Sequence, residues 1–437
     1  MKIIIKHLGI SLLAILLAHT LPAQQVSKAV KGTFALTNAT IETVTQGTVN
    51  GTLIISDGKI ADIGANVSIP AGATEIDCSG LTIFPGLIDG GTRLGLSEVG
   101  SVSLTEDYSE IGDATPQMQA LTAVNPNAVA IPVTRVNGVT TVIAKPSGGV
   151  MPGTASLIHL LGYTPQQMYA GFQAVVVNFP SSGRRGRFDR RSDEDIKKAE
   201  EEALKKLNDV FDEAYLYHRI DSASAGDKDL MPGYNPALKA LLPVVRKEMP
   251  IMIEVNAAKD IQAALKWVKE KDLKVIFTGV SEGWRVADEI AKAGIPVITG
   301  PILSLPSREA DRYDKGYTNA GLMYKAGVKV ALRTNDAENV RNLPFNAGFA
   351  AAYGMGKKAA LEAVTIVPAE MFGLADQIGS LEKGKIANLF VADGDAFETK
   401  TQIRHLFING YKVPLDSRHI RLYNEFLERE PGLSKDK

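Results

Sequence analysis

A single cysteine among 437 residues excludes a disulfide within the chain, and it also excludes a metal centre built from clustered thiolates of one chain. That residue, Cys78, stands just before a Ser79-Gly80 turn signal and reads as a small, half-buried side chain. Histidine is also sparse. Six are present, of which His7 and His19 fall in an apolar N-terminal stretch, leaving His159, His218, His405 and His419. None of these four stands in an H-x-H pair or at helical i,i+4 spacing with another, so the usual layouts for a histidine-rich metal site are missing. Nor do serine and histidine, or cysteine and histidine, form a nucleophilic arrangement. No sign of charge dominates: 48 Lys and Arg stand against 49 Asp and Glu. That balance gives no electrostatic case for nucleic acid or a membrane surface as a partner.

What is present is an ordinary globular composition, 45% hydrophobic and 22% charged, with enough residues for a large core. The first residues have the form of an export signal. Lys2 and Lys6 make a basic head, Leu8 to Leu17 an apolar run too short for a typical membrane span, and Leu21-Pro22-Ala23 a small-residue cleavage site. Residues 1–23 are therefore expected to be a signal peptide, with the mature chain starting near Gln24 in the periplasm or outside the cell. No cysteine follows the run, so no lipid anchor is expected, and no stable membrane anchor of another kind.

Short strand patterns open and close the remaining chain. Thr52-Leu53-Ile54-Ile55 and Lys59-Ile60-Ala61-Asp62-Ile63 flank Ser56-Asp57-Gly58, where Asp-Gly supplies the positive φ angles of a two-residue hairpin turn. Gly379 to Ala392 and Ile403 to Gly410 are again strand-like. Between these ends, apolar runs at 138–143, 174–177, 250–253, 274–277, 295–298 and 328–332 read as buried strands. Helical patterns at 260–271, 283–293 and 357–365 separate several of them. Repeated βα units predict a parallel sheet with helices outside, in a number compatible with a (β/α)8 barrel.

Three motifs carry a resemblance across nearly the whole chain after the leader: Asp57-Gly58-Lys59-Ile60, Phe84-Pro85-Gly86-Leu87-Ile88-Asp89, and Gly379-Ser380-Leu381-Glu382-Lys383-Gly384-Lys385. They resemble the amidohydrolase superfamily, with Asn388 where the last motif has Asp. The stretches Ala287 to Pro301 and Arg341-Asn342-Leu343-Pro344-Phe345 are similar to its imidazolonepropionase-like subgroup. The resemblance implies an α/β fold: a TIM-like (β/α)8 barrel over 85–372, plus a small β-sandwich formed by both chain ends, 30–84 and 373–420.

Active members of that superfamily hold one or two metals at the C-terminal ends of the barrel strands. The ligands are two histidines on the first strand and one each on the fifth and sixth, and an Asp on the eighth also serves as base. A metal there lowers the pKa of water and polarises the scissile carbonyl. At those positions this chain has Gly91 and Arg93, then Glu254, Gly279 and Asn335, with Asp336 one residue further on. Glycine has no side chain and a guanidinium has no lone pair to donate. An Arg93–Glu254 ion pair across the former metal site is the expectation, a cation replacing a cation. No cofactor is expected; a divalent metal on Glu254, Asp89 and Asp336 belongs only to an atypical-enzyme reading.

Other segments have plainer readings beside functional ones. The loop Pro146 to Thr154 follows the second barrel strand, and Ser147, Gly148 and Gly149 with Gly91, Thr92 and Asn335 are the candidate ligand contacts. A tight turn is equally consistent with those glycines. The arginines between Ser181 and Arg191 suggest an anion clamp, but the acids from Asp193 to Glu202 favour internal surface pairing, after a capping box of Ser192 and Asp195. The long connection from Ser97 to Asn127 suits a lid or a partner surface. His159 lies on an apolar stretch and reads as a packing residue.

Two functional expectations follow. The first is an exported amidohydrolase-superfamily pseudoenzyme acting as a binding or partner subunit, for a small molecule or in a homo- or hetero-oligomer with a related amidohydrolase. The alternative is a hydrolase of peptide-like or non-peptide C–N bonds, with Arg93 polarising a carbonyl and Glu254 or Asp336 as base.

Overall fold

The computed structural model describes residues 28–184, 189–306 and 308–429. The expected signal peptide and Arg185 and Arg187 of the arginine cluster lie outside them. Five short strands open the chain: β1 (Phe34–Glu42), β2 (Thr48–Ser56), β3 (Lys59–Gly64), β4 (Thr74–Asp77) and β5 (Thr82–Pro85). Eight follow: β6 (Leu87–Thr92), β7 (Val139–Ala144), β8 (Gly153–His159), β9 (Tyr169–Asn178), β10 (Ile251–Val255), β11 (Val275–Gly279), β12 (Val297–Thr299) and β13 (Val330–Leu332). The last three are β14 (Leu389–Ala392), β15 (Ile403–Ile408) and β16 (Tyr411–Val413).

The first five and last three strands form one sheet in the order β16-β15-β14-β5-β1-β2-β3, with β4 paired to β1. Asp57 and Gly58 both have positive φ, 51° and 81°, in the turn joining β2 to β3, as the Asp-Gly signal required. Cys78 is fully buried in this unit rather than half-buried, and burial pushes its thiol up to about 11. Isoleucines, leucines and Phe34 and Phe407 fill the core around it.

The middle eight strands form the barrel, in the order β6 to β13. Its edges meet without a continuous ladder. Beyond the strands, Asn335 N–H donates to Gly91 O at 3.0 Å and Arg93 N–H to Asp336 O at 2.9 Å. Lower down, Leu332 N–H and Ile88 N–H instead donate to Ala363 O and Val364 O, so a helix end is wedged between β13 and β6.

One strand departs from the expected parallel order. β8 runs antiparallel to both β7 and β9. Residues 145–152 alone connect β7 to β8, too short a stretch for the dozen or more residues of a parallel crossover. A direct return is the geometry left.

Alternation along the strands sorts the two apolar layers. Ile143, Met252, Ile276, Ile298 and Ala331 share the inner cluster, while Val142, Ile251, Ile253, Phe277 and Val297 belong to the cluster packed under the helices. The barrel and the sandwich are joined through His159, at the end of β8. Its Nδ1 lies 3.1 Å from Thr141 Oγ1 and 3.2 Å from Asn388 Nδ2, and burial pulls the imidazole down to about 4. It is a packing residue, as the sequence suggested.

The barrel wall is tight at Gly90, where an added Cβ would overlap Ile298 Cγ2 and approach Leu332 O. Gly90→Ala should therefore destabilise the protein by ~1–3 kcal/mol, read as a lower urea midpoint; an unchanged midpoint would contradict this packing.

Candidate functional site

The inner-face alternation continues past the strand ends. Met252 points into the barrel, and so does Glu254 two residues on; Ile143 is followed by Lys145, and Ala331 by Arg333. Three long charged side chains thus converge at the C-terminal mouth. Arg333 clamps Glu254 in a fork, Nη1 to Oε2 at 2.7 Å and Nη2 to Oε1 at 2.6 Å. Lys145 Nζ donates to Oε2 at 2.7 Å, and Thr278 Oγ1 donates to the same oxygen at 2.9 Å. Arg333 is 2% exposed and Lys145 6%.

Burial works against the charge on Glu254, but Arg333 and Lys145 together outweigh it and hold the carboxyl well below the usual carboxylate range. Burial pulls the ammonium of Lys145 down, and the attraction of Glu254 opposes that. Bidentate Arg–carboxylate geometry is the strong form of such a pair.

The expected partner is thus corrected: Glu254 pairs with Arg333 and Lys145, not with Arg93. Arg93 turns away, its guanidinium 4.8 Å from the centre of the Tyr108 ring. The physical reason is space at Gly91. A Cβ there would lie 3.2 Å from Arg333 Cδ, so the missing side chain leaves the volume that Arg333 crosses. Gly279 has the same role on the other side, since a Cβ there would lie 2.6 Å from Glu254 Oε1. Arg333 and Lys145 escaped the sequence reading, although each stands two residues beyond an inward-facing residue of a buried run. That spacing was the available signal.

Asp336 serves its own turn. Its Oδ1 accepts from the backbone N–H groups of Ala337, Glu338 and Asn339 at 2.7, 2.9 and 3.1 Å. Partial burial opposes its charge, but these bonds keep the carboxyl below its ordinary value. Asn335 adopts a left-handed φ of 53° and lines the adjoining cleft. Asp89 is fully buried and accepts from Gly91 N–H at 3.0 Å and from Thr334 Oγ1 at 2.6 Å. Burial pushes it up to about 7, against the pull of those bonds and of Arg333. Thr92 is turned into the wall, its hydroxyl donating to Ile143 O at 3.1 Å.

The 147–149 loop is packed rather than open. Gly148 O and Gly149 O accept from Asn178 Nδ2 at 2.9 and 2.8 Å, Ser147 N–H donates to Tyr108 O at 2.8 Å, and Gly149 lies against the backbone of Asp113. The 97–127 connection therefore lies over this loop and carries Tyr108 to Arg93. At the surface, the Ser192–Asp195 capping box forms, and Arg184 pairs with Asp193 and Arg191 with Asp189.

Beside the ion cluster lies a cleft of about 270 Å³, lined by Glu254, Arg333 and Asn335 at its inner end and by Trp284, Pro301 and Leu305 further out. Ser281 also lines it, between Gly279 and Gly283 in a G-x-S-x-G spelling. Positive φ there belongs to Gly279 and Val280, 85° and 51°, and not to Ser281, and no histidine lines the cleft, so the spelling does not make a nucleophile elbow.

The sequence pattern of the amidohydrolase family matches residues 82–413. The chain belongs to that family. Among solved structures it is similar to an amidohydrolase from Thermotoga maritima MSB8, with a TM-score of 0.77 and 24% identity over 87% of this chain and 99% of that one. A prolidase complexed with N-methylphosphonate-L-proline gives 0.54 and 14% over 87% and 99%. An adenosine deaminase from Xanthomonas campestris with bound zinc gives 0.51 and 16% over 90% and 96%. These likenesses show the shared fold. No curated protein matches the chain.

The donors present do not fit the metal that such a bound-zinc relative carries. Gly91 and Gly279 offer no atom, Arg93 and Arg333 no lone pair, and both oxygens of Glu254 are occupied by cations. Among the described residues, no group of three or more His, Cys, Asp or Glu is placed to hold an ion.

Two outcomes test this geometry. Arg333→Met removes the buried guanidinium that holds the partly buried Glu254 and should cost ~2–4 kcal/mol in urea unfolding, whereas Arg93→Ala should cost less than ~1 kcal/mol. Equal losses would restore Arg93 as the partner. The depressed folded pKa of Glu254 makes its stabilisation complete above the ordinary carboxylate range and lost as pH falls through the folded value. Asp89 acts oppositely, lowering stability as pH rises from the ordinary range to about 7. Glu254→Gln should therefore flatten the acid limb of a stability–pH series and leave the neutral limb.

Proposed function

We propose that this family member does not carry out metal-dependent hydrolysis and acts as an exported pseudoenzyme, a binding or partner subunit, for a small molecule or beside a related amidohydrolase. One observation carries this: the acid at the fifth-strand position gives both its oxygens to Arg333 and Lys145, so fixed cations stand where a metal's charge would be needed. Metal would have to displace two buried cations and find ligands at two glycines. Among the described residues no helix is long and apolar enough to cross a membrane.

The second reading is hydrolysis of peptide-like or non-peptide C–N bonds by an atypical site, and the cleft next to Arg333 favours it. Its weakness is the base. Glu254 and Asp336 are both held below their ordinary values, which makes them poor proton acceptors.

Metal analysis of the purified mature protein, together with a dipeptide and lactam hydrolysis panel, separates the two. The expected outcome is substoichiometric metal and no turnover, with one larger species on size exclusion when a homologue is co-expressed. Stoichiometric metal with turnover abolished by Glu254→Ala would overturn the proposal.

A further inference from the structure

The charges around the cleft do not balance. Three carboxylates line it, Glu254, Glu282 and Asp311. Of the cations only Arg333 and Lys315 line it as well; Lys145 on Glu254, Arg308 on Glu282 and Arg285 on Asp311 approach those acids from outside the lining, and Asp314 beside Lys315 is paired with Arg312. Lys315 stands over the Trp284 ring at 4.3 Å and makes no salt bridge among the described residues, although its charge helps hold the neighbouring Asp314 carboxyl below its ordinary value. Arg93 adds a further cation near Lys145, and no carboxylate pairs with it among the described residues. Asp89 lies below Arg333 and at neutral pH returns at most one negative charge.

Donors are in surplus as well. The guanidinium of Arg333 has five N–H groups, of which two go to Glu254 and one, from Nε, to Gly300 O at 3.3 Å. Among the described residues two find no acceptor, on a side chain that is almost wholly buried and lines the cleft. Buried cationic donors in excess of carboxylates are costly unless an anion completes them. The outer wall is of another kind: Trp284, Pro301, Pro306 and Leu305, the last 81% exposed.

We infer that the cleft binds a small carboxylate with an apolar body, its anionic head against Arg333 in the field of Lys145 and Arg93, its body along Trp284 and Leu305. This names the ligand class of the binding site proposed above and rests on that reading. The ion pair with Glu254 then has a second role. It neutralises one of the three cations at the head end, Arg333, Lys145 and Arg93, and Asp89 neutralises up to one more, so that the charge left there suits a monoanion rather than a metal or a polyanion.

Calorimetric titration of the purified protein with phenylacetate, phenylacetamide and inorganic phosphate tests this. Phenylacetate should bind saturably, the neutral amide at least ~10-fold more weakly, and phosphate no better than the amide. Arg93→Gln, at a half-buried side chain without an ion pair, should weaken phenylacetate ~10-fold, and Glu254→Gln should tighten it by a similar factor by releasing Arg333 and Lys145. Equal binding of acid and amide, tighter binding of phosphate, no binding of phenylacetate at ~10 mM, or weaker binding by Glu254→Gln would each overturn the inference. Metal-free, inactive protein that ignores phenylacetate sinks only this inference. Metal-bearing, hydrolytic protein that still binds it as described sinks only the pseudoenzyme reading.

Discussion

The mouth of this barrel is organised by one partly buried carboxylate and the two buried cations that hold it. Removing Glu254, Arg333 and Lys145 from water is expensive, and the expense is offset only because a two-pronged guanidinium and an ammonium meet the same two oxygens. That requirement fixes its surroundings. Gly279 leaves no room for a side chain beside the cluster, Gly91 leaves little, and Thr278 adds its hydroxyl. Asp89 and Thr334 tie the turn after Arg333 back to the first barrel strand.

In the pseudoenzyme reading proposed above, the same constraint is what would separate this chain from a metal-dependent member of its family. A bound dication is exchangeable and can activate water; a guanidinium is neither a Lewis acid nor a source of hydroxide. Covalently tethered charge can still orient an anion. In that reading the cations grouped around Glu254 serve recognition, with the fold's loops and strand ends supplying the walls.

Much of this architecture was legible in the linear chain. The Asp57-Gly58 hairpin, six of the buried strands and the Ser192–Asp195 cap all follow from local rules of turn chemistry, apolar runs and capping. The antiparallel third strand was not legible as such. Its residues form a buried apolar run with His159 among them, and only the short 145–152 connection against its neighbours sets its direction. The closure of the ring by the Ala363–Val364 wedge likewise depends on contacts distant in sequence.

At the site, the sequence by itself determined which residues stand at the strand ends: a glycine and an arginine, Gly91 and Arg93, at the first, and a glutamate, Glu254, on the fifth. It also placed that glutamate on the inner face. Which cation meets it was decided only by the tertiary structure. Arg93, Lys145 and Arg333 are all cations at strand ends, and residue type cannot rank them. A register shift between Asp89 and Thr92 and the empty volume at Gly91 let Arg333 cross the mouth, while Tyr108 takes Arg93 to the rim. Ion pairing is a matter of distance and desolvation, and both are set by how the strands close around one another.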